Sequence, residues 1–354
     1  MINIEDIVNP DTRPLFYVYS PSWRENAAGI RVLHYLCDSL NRIGCSAYLV
    51  LHNPHESEIR TNQKLDTPIL NQELSDLHFE SGRVPTVIYS ETIPGNPLGA
   101  SRVVRYLLNY VGVLGGPSKF GKNELLLSYT KAIQEATNDE SSLLFLPAVK
   151  RDELPKVTIK NPNLNLMYAG KYRAFVGKPP KLTNVLLKEI YRDGPMKQSR
   201  EEVLNLLAEA NSLYLWENST IATEAILLGT PCIFIENDFL GNVIAGHELG
   251  LEGSTFFNTE EGIAAARNSL EIGKQKYLIA EENFWSQLHS FIQLHNQYFS
   301  GDPINPRRIQ IPTSNGIVNR HRLRLFFGML RTSGLRKTLR VTKEFWLNRF
   351  TAKD

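Results

Sequence analysis

The segment from Leu15 to Leu51 constrains the fold more than any other part of the chain. LFYVYS, Leu15–Ser20, is a β-rich run that stops at Pro21. A polar loop, WRENAAG, follows. Ile30, Val32, Leu33, Leu36, Cys37 and Leu40 then recur at helical spacing, which predicts a helix over Ile30–Ile43. Gly44 stands just past its end, a favoured C-cap position. CSAYLVL, Cys45–Leu51, is a second strand. Strand, loop, helix and strand make a βαβ unit, whose crossover is parallel and right-handed.

The alternation continues. After a polar stretch of weak periodicity, His52–Ser81, VPTVIYSE (Val84–Glu91) is a strand. The loop TIPGNPLGA leads into SRVVRYLLNYV, Ser101–Val111, whose apolar spacing predicts a helix with Arg105 on a solvated or salt-bridged face. LLLSY (Leu125–Tyr129) is strand-like, and RDELPK closes this half at a proline turn. The pattern restarts with the strand LNLMYAGK, Leu164–Lys171. Lys181–Tyr191 mixes strand and helix signals. Ser199 and Glu202 form a capping box ahead of VLNLLAEA. SLYLW (Ser212–Trp216) is a strand, ENSTIATEAILLG a loop and helix closed by Gly229, and TPCIFIEN (Thr230–Asn237) the next strand. EEGIAAARNSLEI and Lys276–Phe299 are helical. The fold class is therefore α/β, with two Rossmann-like domains expected at 1–155 and 156–302 and a tail at 303–354. In such sheets ligands bind beyond the carboxyl ends of the strands, here expected in a cleft between the halves.

Length agrees, because 354 residues suit two domains. Cys37, Cys45 and Cys232 have no CxxC spacing and no paired His, so they are expected as small buried side chains in a reducing compartment. No run of about 18 apolar residues predicts a membrane-spanning helix. The acidic, proline-broken N-terminus is unlike a signal peptide. These features point to a cytoplasmic protein. The net charge of +2 hides an asymmetry: between Arg320 and Asp354, ten Lys and Arg face only Glu344 and Asp354, so that tail carries +8 and the rest −6. Aromatic and aliphatic residues interleave with those charges, as in a helix that lies on a membrane surface. The blander reading is a solvated face that folds back on the protein.

The chemistry concentrates in Trp216–Pro231. Glu217 stands at a strand end, and Asn218, Ser219 and Thr220 open a helix whose N-terminus suits a diphosphate. Glu224, about two turns on, lies on nearly the same helix face, where a carboxylate can hold two ribose hydroxyls. This segment resembles the signature of retaining GT-B glycosyltransferases, the large family-four group, with Glu224-Ala225-Ile226-Leu227-Leu228-Gly229-Thr230-Pro231 the close part of the match. The resemblance implies that Glu224 binds the donor ribose and Glu217 contacts the donor sugar. It departs from the family in having six residues between the two glutamates, where seven are usual, and in replacing a glycine loop by Asn-Ser-Thr.

The same resemblance implies basic residues after an earlier strand, which neutralise the leaving diphosphate. Lys171, Arg173 and Lys178 in LMYAGKYRAFVGK stand there. ENAAGIRVLHYL resembles the glycine-containing loop and helix start that faces the phosphates, with Gly29 allowing close approach. Glu91 and His34 are the candidate acceptor contacts in the N-terminal half. Each residue has a plainer alternative: a solvent-facing strand-end Glu217, surface lysines, a turn glycine at Gly29 and a packing role for His34. SETIPGNPLGASRVVRYLL is similar to bacterial surface-glycan transferases.

The resemblance thus implies a metal-independent, retaining GT-B enzyme with two parallel sheets facing across a cleft. It takes a nucleotide sugar as donor and a glycan or lipid-linked oligosaccharide as acceptor, in the synthesis of a bacterial surface polysaccharide such as lipopolysaccharide, O-antigen or capsule. It needs no cofactor; no Asp-x-Asp metal signature appears, and no nucleic-acid partner is expected. An anionic membrane surface is the expected partner of residues 320–354. The rival readings are a sugar-nucleotide epimerase on a similar scaffold and a non-catalytic nucleotide- or glycan-binding subunit.

Overall fold

A computed structural model describes residues 13–52, 60–137, 141–156, 159–192, 196–241, 243–301 and 306–312. The expected membrane-surface segment 320–354 lies outside them. The chain divides into two compact units. The first contains the residues up to Leu146 and resumes at Phe284; the second is Pro147–Asn283.

The first unit has a six-stranded parallel sheet: β1 (Leu15–Ser20), β2 (Ser46–Leu51), β3 (Thr86–Ser90), β4 (Arg102–Leu107), β5 (Glu124–Ser128) and β6 (Ser142–Leu143). Their spatial order is β2-β1-β3-β4-β5-β6. Helix α1 (Ala28–Arg42) makes the crossover from β1 to β2 that the sequence predicts. Gly44 follows with φ +87°, a left-handed conformation that glycine adopts without strain. Helices α2 (Gln72–Glu80) and α3 (Lys131–Ala136) complete the unit's early part. The first of these falls in the stretch of weak periodicity.

One predicted element changes type. Ser101–Val111 is not a helix but contains strand β4, parallel to β3 and β5. RVVRYL is buried on both faces of a parallel sheet, so its apolar residues run on instead of alternating. A short apolar run of that kind fits either element. Arg105 is accordingly buried, not solvated: Nε donates to Glu124 at 2.8 Å, and the guanidinium also donates to the carbonyls of Ser90, Ile93 and Gly95. It fastens the loop that follows β3.

The second unit has a five-stranded parallel sheet made of β7 (Asn161–Tyr168), β8 (Leu187–Glu189), β9 (Ala210–Leu215), β10 (Cys232–Phe234) and β11 (Ser254–Thr255), in the order β11-β10-β9-β7-β8. Its helices are α4 (Gly170–Phe175), α5 (Arg200–Glu209), α6 (Ile221–Leu227), α7 (Gly246–Leu249), α8 (Glu260–Asn268) and the first part of α9 (Leu270–Tyr298). The capping box of Ser199 and Glu202 is formed as predicted. Alternation along β9 builds two cores: Leu213 and Leu215 pack with α5 and α6, while Tyr214 and Trp216 pack on the other face with Ala169 and Ile233.

In both sheets the first strand of the unit lies between the second and the third, so the connections leave it in opposite directions. The switch points are β1/β3 and β7/β9. At such points the loops diverge and leave a crevice beyond the carboxyl ends of the strands. All three cysteines are buried, as expected of small apolar side chains. No helix of the described residues is long and apolar enough to cross a membrane.

Candidate functional site

The carboxyl edge of the second sheet gathers charge. Lys171 follows β7, Arg192 follows β8 and Glu217 follows β9, the three neighbouring strands at the switch point. Glu224 comes from α6 and Arg200 opens α5. Both glutamates are fully buried.

Glu217 accepts a hydrogen bond from the backbone N–H of Tyr172 at 2.8 Å through Oε2. Its Oε1 lies 3.9 Å from Lys171 Nζ and has no hydrogen-bond partner among the described residues. Burial raises the pKa of Glu217, against the pull of Lys171 and of the backbone N–H donors. Burial lowers the pKa of Lys171, whose Nζ donates to the carbonyl of Asn218 at 2.5 Å. Each partner's charge offsets part of that shift, but burial is the larger effect on both groups.

Glu224 is shared between two arginines. Arg192 Nη2 is 2.5 Å from Oε2, and Arg200 Nη1 is 2.7 Å from Oε1. Arg200 also lies 3.8 Å from Glu153. Burial works against the Arg192 charge, and Glu224 together with Tyr168 and Glu217 more than offsets it, so this guanidinium is held protonated more firmly than usual. It also rests over the Tyr168 ring, 5.5 Å from its centre. Both carboxylate oxygens of the expected ribose ligand thus carry a guanidinium here.

The other expected donor contacts are distributed as follows. Asn218 has a structural role, in which Nδ2 donates to the carbonyl of Leu240 at 2.6 Å and Oδ1 accepts from the N–H of Ile244 at 3.0 Å. Ser219 and Thr220 are half-buried at the start of α6, where Thr220 makes no side-chain cap. Arg173 is paired with Glu189 at 2.5 Å. Lys178 is exposed.

The Gly229-Thr230-Pro231 portion of the motif serves the unit's interior. Gly229 ends α6 at φ +77°. Thr230 Oγ1 donates to the Leu207 carbonyl at 2.6 Å, and Lys160 Nζ donates to the carbonyls of Ala208 and Leu228 at 2.7 and 2.9 Å. A hydroxyl and an ammonium so cap the carbonyl ends of α5 and α6. This latch fixes α6, and with it Glu224.

At the switch point of the first sheet burial shifts His34 and Glu91 towards their neutral forms. His34 is fully buried; Nε2 is 3.0 Å from the Pro21 carbonyl, and burial pushes its pKa down to about 4. Glu91 is buried just beyond β3, and burial pushes its pKa up to about 7 although Oε2 accepts from the N–H of Leu108. Gly29 is exposed in the first turn of α1, and a Cβ there would meet only Leu108 at 3.6 Å, an ordinary contact. Close approach by the chain itself therefore does not require glycine at that position.

Sequence reasoning misses Arg192 and Arg200. Arg192 follows a three-residue strand, and Arg200 reads as an ordinary first residue of a capped helix.

No family model matches the sequence, and no curated protein sequence matches it. Solved structures do. An O-GlcNAc transferase from Thermobaculum terrenum superimposes at a TM-score of 0.53 with 14% identity, over 84% of this chain and 70% of that one. A sucrose-phosphate synthase from Thermosynechococcus elongatus gives 0.50 with 11% identity, over 82% of this chain and all of that one. The fold is that of the GT-B glycosyltransferases, two Rossmann-like units with parallel sheets.

Proposed function

We propose that the chain is a glycosyltransferase that takes a sugar from a nucleotide-sugar donor and attaches it to a glycan or lipid-linked acceptor with retention of configuration. One observation carries this reading: three neighbouring parallel strands at a switch point place Lys171, Arg192 and Glu217 beyond their carboxyl ends, with Glu224 behind them. Cations in a partly dry crevice stabilise a diphosphate, and most strongly when its charge grows as the sugar leaves. A buried carboxylate beside them can meet a sugar hydroxyl. Lys171 is assigned to the leaving diphosphate and Glu217 to the donor sugar. The reading needs no metal, because fixed cations supply the compensating charge.

The test has two stages. Melting is followed against a panel of nucleoside diphosphates, since a ligand of the folded state raises the transition temperature. The sugar nucleotides of whichever base binds are then incubated with and without glycan acceptors, in the presence and absence of EDTA. Transfer to an acceptor that survives EDTA, giving the donor's anomeric configuration, is the expected result. Isomerisation without an acceptor indicates an epimerase, and binding without turnover a non-catalytic subunit. Failure to bind any nucleotide removes the reading.

The acceptor is assigned to bacterial surface-glycan synthesis, with residues 320–354 holding the enzyme on the cytoplasmic face of the membrane. Support comes from their +8 charge and interleaved apolar residues. Sedimentation with anionic vesicles at low salt, lost on truncation at residue 319, is the expected outcome; a full-length chain that stays in the supernatant overturns this part.

A further inference from the structure

The two arginines on Glu224 are not equivalent. Arg200 has a second carboxylate, Glu153, within 3.8 Å, whereas Glu224 is the one carboxylate in contact with Arg192 among the described residues. The two also hold different oxygens, Arg200 on Oε1 and Arg192 on Oε2. Removing Arg192 from the pair would leave Glu224 still neutralised by Arg200, and no buried carboxylate would be stranded. Arg192 in turn has donor capacity unused: its Nε is buried and meets no acceptor among the described residues. A buried donor without a partner is costly, on the order of 1–3 kcal/mol in general, and a bound acceptor would relieve that cost. The surroundings of Arg192 say what that acceptor is. Arg192 follows β8 and Lys171 follows the neighbouring strand β7, so the two cations stand at one edge of the sheet, and the Arg192 charge adds to the lowering of the Lys171 pKa. Two neighbouring cations with a spare N–H donor suit an anion with several oxygens. Phosphate meets the planar guanidinium fork in the same way as a carboxylate does, and so competes with Glu224 for it.

We propose that Arg192 is a diphosphate-binding residue that works by exchange: in the ligand-free protein it neutralises Glu224 Oε2, and on engaging the diphosphate it releases that oxygen to accept the ribose hydroxyls. The inference rests on the reading of this edge as a nucleotide-sugar site and gives it an order of events. A nucleoside alone must break the Arg192–Glu224 pair with nothing to replace it. Diphosphate breaks the pair by taking the guanidinium itself. The two halves of the donor are therefore coupled through one side chain, and the coupling is reciprocal. An enzyme so built discriminates against nucleosides, whose hydroxyls find Glu224 already occupied.

The experiment is calorimetry on the full chain with inorganic pyrophosphate, with the common nucleosides, and with both together, alongside the matching nucleoside diphosphates. Pyrophosphate is expected to tighten nucleoside binding about tenfold, within the usual range of coupling between sites. In Arg192→Ala the effects should split: weaker pyrophosphate, tighter nucleoside than wild type in the absence of pyrophosphate, and no coupling. A residue with a purely structural role would weaken both ligands together. Arg192→Lys keeps the charge without the fork and is expected to retain a smaller coupling, which keeps the test open if the alanine variant does not fold. Nucleoside affinity that ignores pyrophosphate in the wild type, or a coupling of unchanged size in both variants, overturns the exchange while leaving the nucleotide site standing, provided the diphosphates bind. If no nucleoside diphosphate binds, both the exchange and the functional reading fall.

Discussion

The two sheets have the same strand order around their switch points, yet they place different side chains there. Beyond β1 and β3 the buried polar groups are a histidine and a carboxyl that burial drives towards their neutral forms, His34 and Glu91. Beyond β7, β8 and β9, Glu224 is paired with Arg192 and Arg200, and Lys171 stands 3.9 Å from Glu217, two groups that burial also shifts towards neutral. Backbone topology makes a crevice in each unit, and the side chains decide what it suits. A neutral polar edge matches an uncharged partner such as a sugar chain. An edge with fixed cations matches a diphosphate, because its dipoles and charges are in place before the ligand arrives. The side chains, more than the backbone, distinguish the two edges.

The contrast can be broken most sharply at Glu224. Glu224→Ala removes the carboxylate shared by two buried arginines and should cost about 3–5 kcal/mol of stability. Urea unfolding that monitors the second unit checks this. A loss below about 1 kcal/mol would mean that the cluster is solvated and the two edges differ less than described.

Glu91 tests the neutral edge. Folded Glu91 keeps its proton up to about pH 7, while a carboxyl in the unfolded chain releases it near 4.5. The stability gained from the neutral form is complete below that lower value and is lost as pH rises through 7. Glu91→Gln should therefore be more stable than the wild type above pH 7, by up to about 3 kcal/mol, and nearly equal to it below pH 4. His34 runs in the other sense: its folded pKa is depressed to about 4, so the stability it contributes is present above about 6.5 and is lost as pH falls through 4. Melting curves between pH 4 and 9 resolve the two.

Lys171→Gln should lower kcat on the order of 10²-fold, comparable with losing one donor to a developing oxyanion. Its effect on stability should be much smaller, since the side chain is one-third exposed. Lys178→Ala is expected to change stability by less than about 0.5 kcal/mol. It should also reduce kcat far less than Lys171→Gln, because Lys178 is exposed whereas Lys171 is partly buried beside Glu217. Equal losses in the two variants would extend the cationic edge beyond the cluster and blur the comparison.

Much of this is legible in the sequence. The strand–helix alternation, the first crossover and the capping box at Ser199 are local patterns, and the structure forms them at the expected positions. β4 reads as a helix because a strand buried on both faces loses the period of two that marks a half-buried one. Helix α2 is hidden because its apolar face is small; Ser75 and His78 are the side chains it buries. The two glutamates stand out because a motif frames them. Arg192 and Arg200 do not, because their meaning lies in a contact with a residue 32 or 24 positions away. Only the sheet order, which puts β8 beside β7 and α5 near α6, brings them to Glu224. The family resemblance implies a ribose ligand for Glu224; the fold adds the two arginines in contact with it.

Hydrogen exchange with and without the nucleoside diphosphate that most raises the melting temperature tests the assignment of the two edges most directly. The expected result is new protection at Tyr168–Tyr172, Tyr191–Arg192 and Trp216–Glu224, with amides around Trp23–His34 and Glu91–Leu108 unchanged. Protection confined to the first unit's segments, or none in the second, would contradict it.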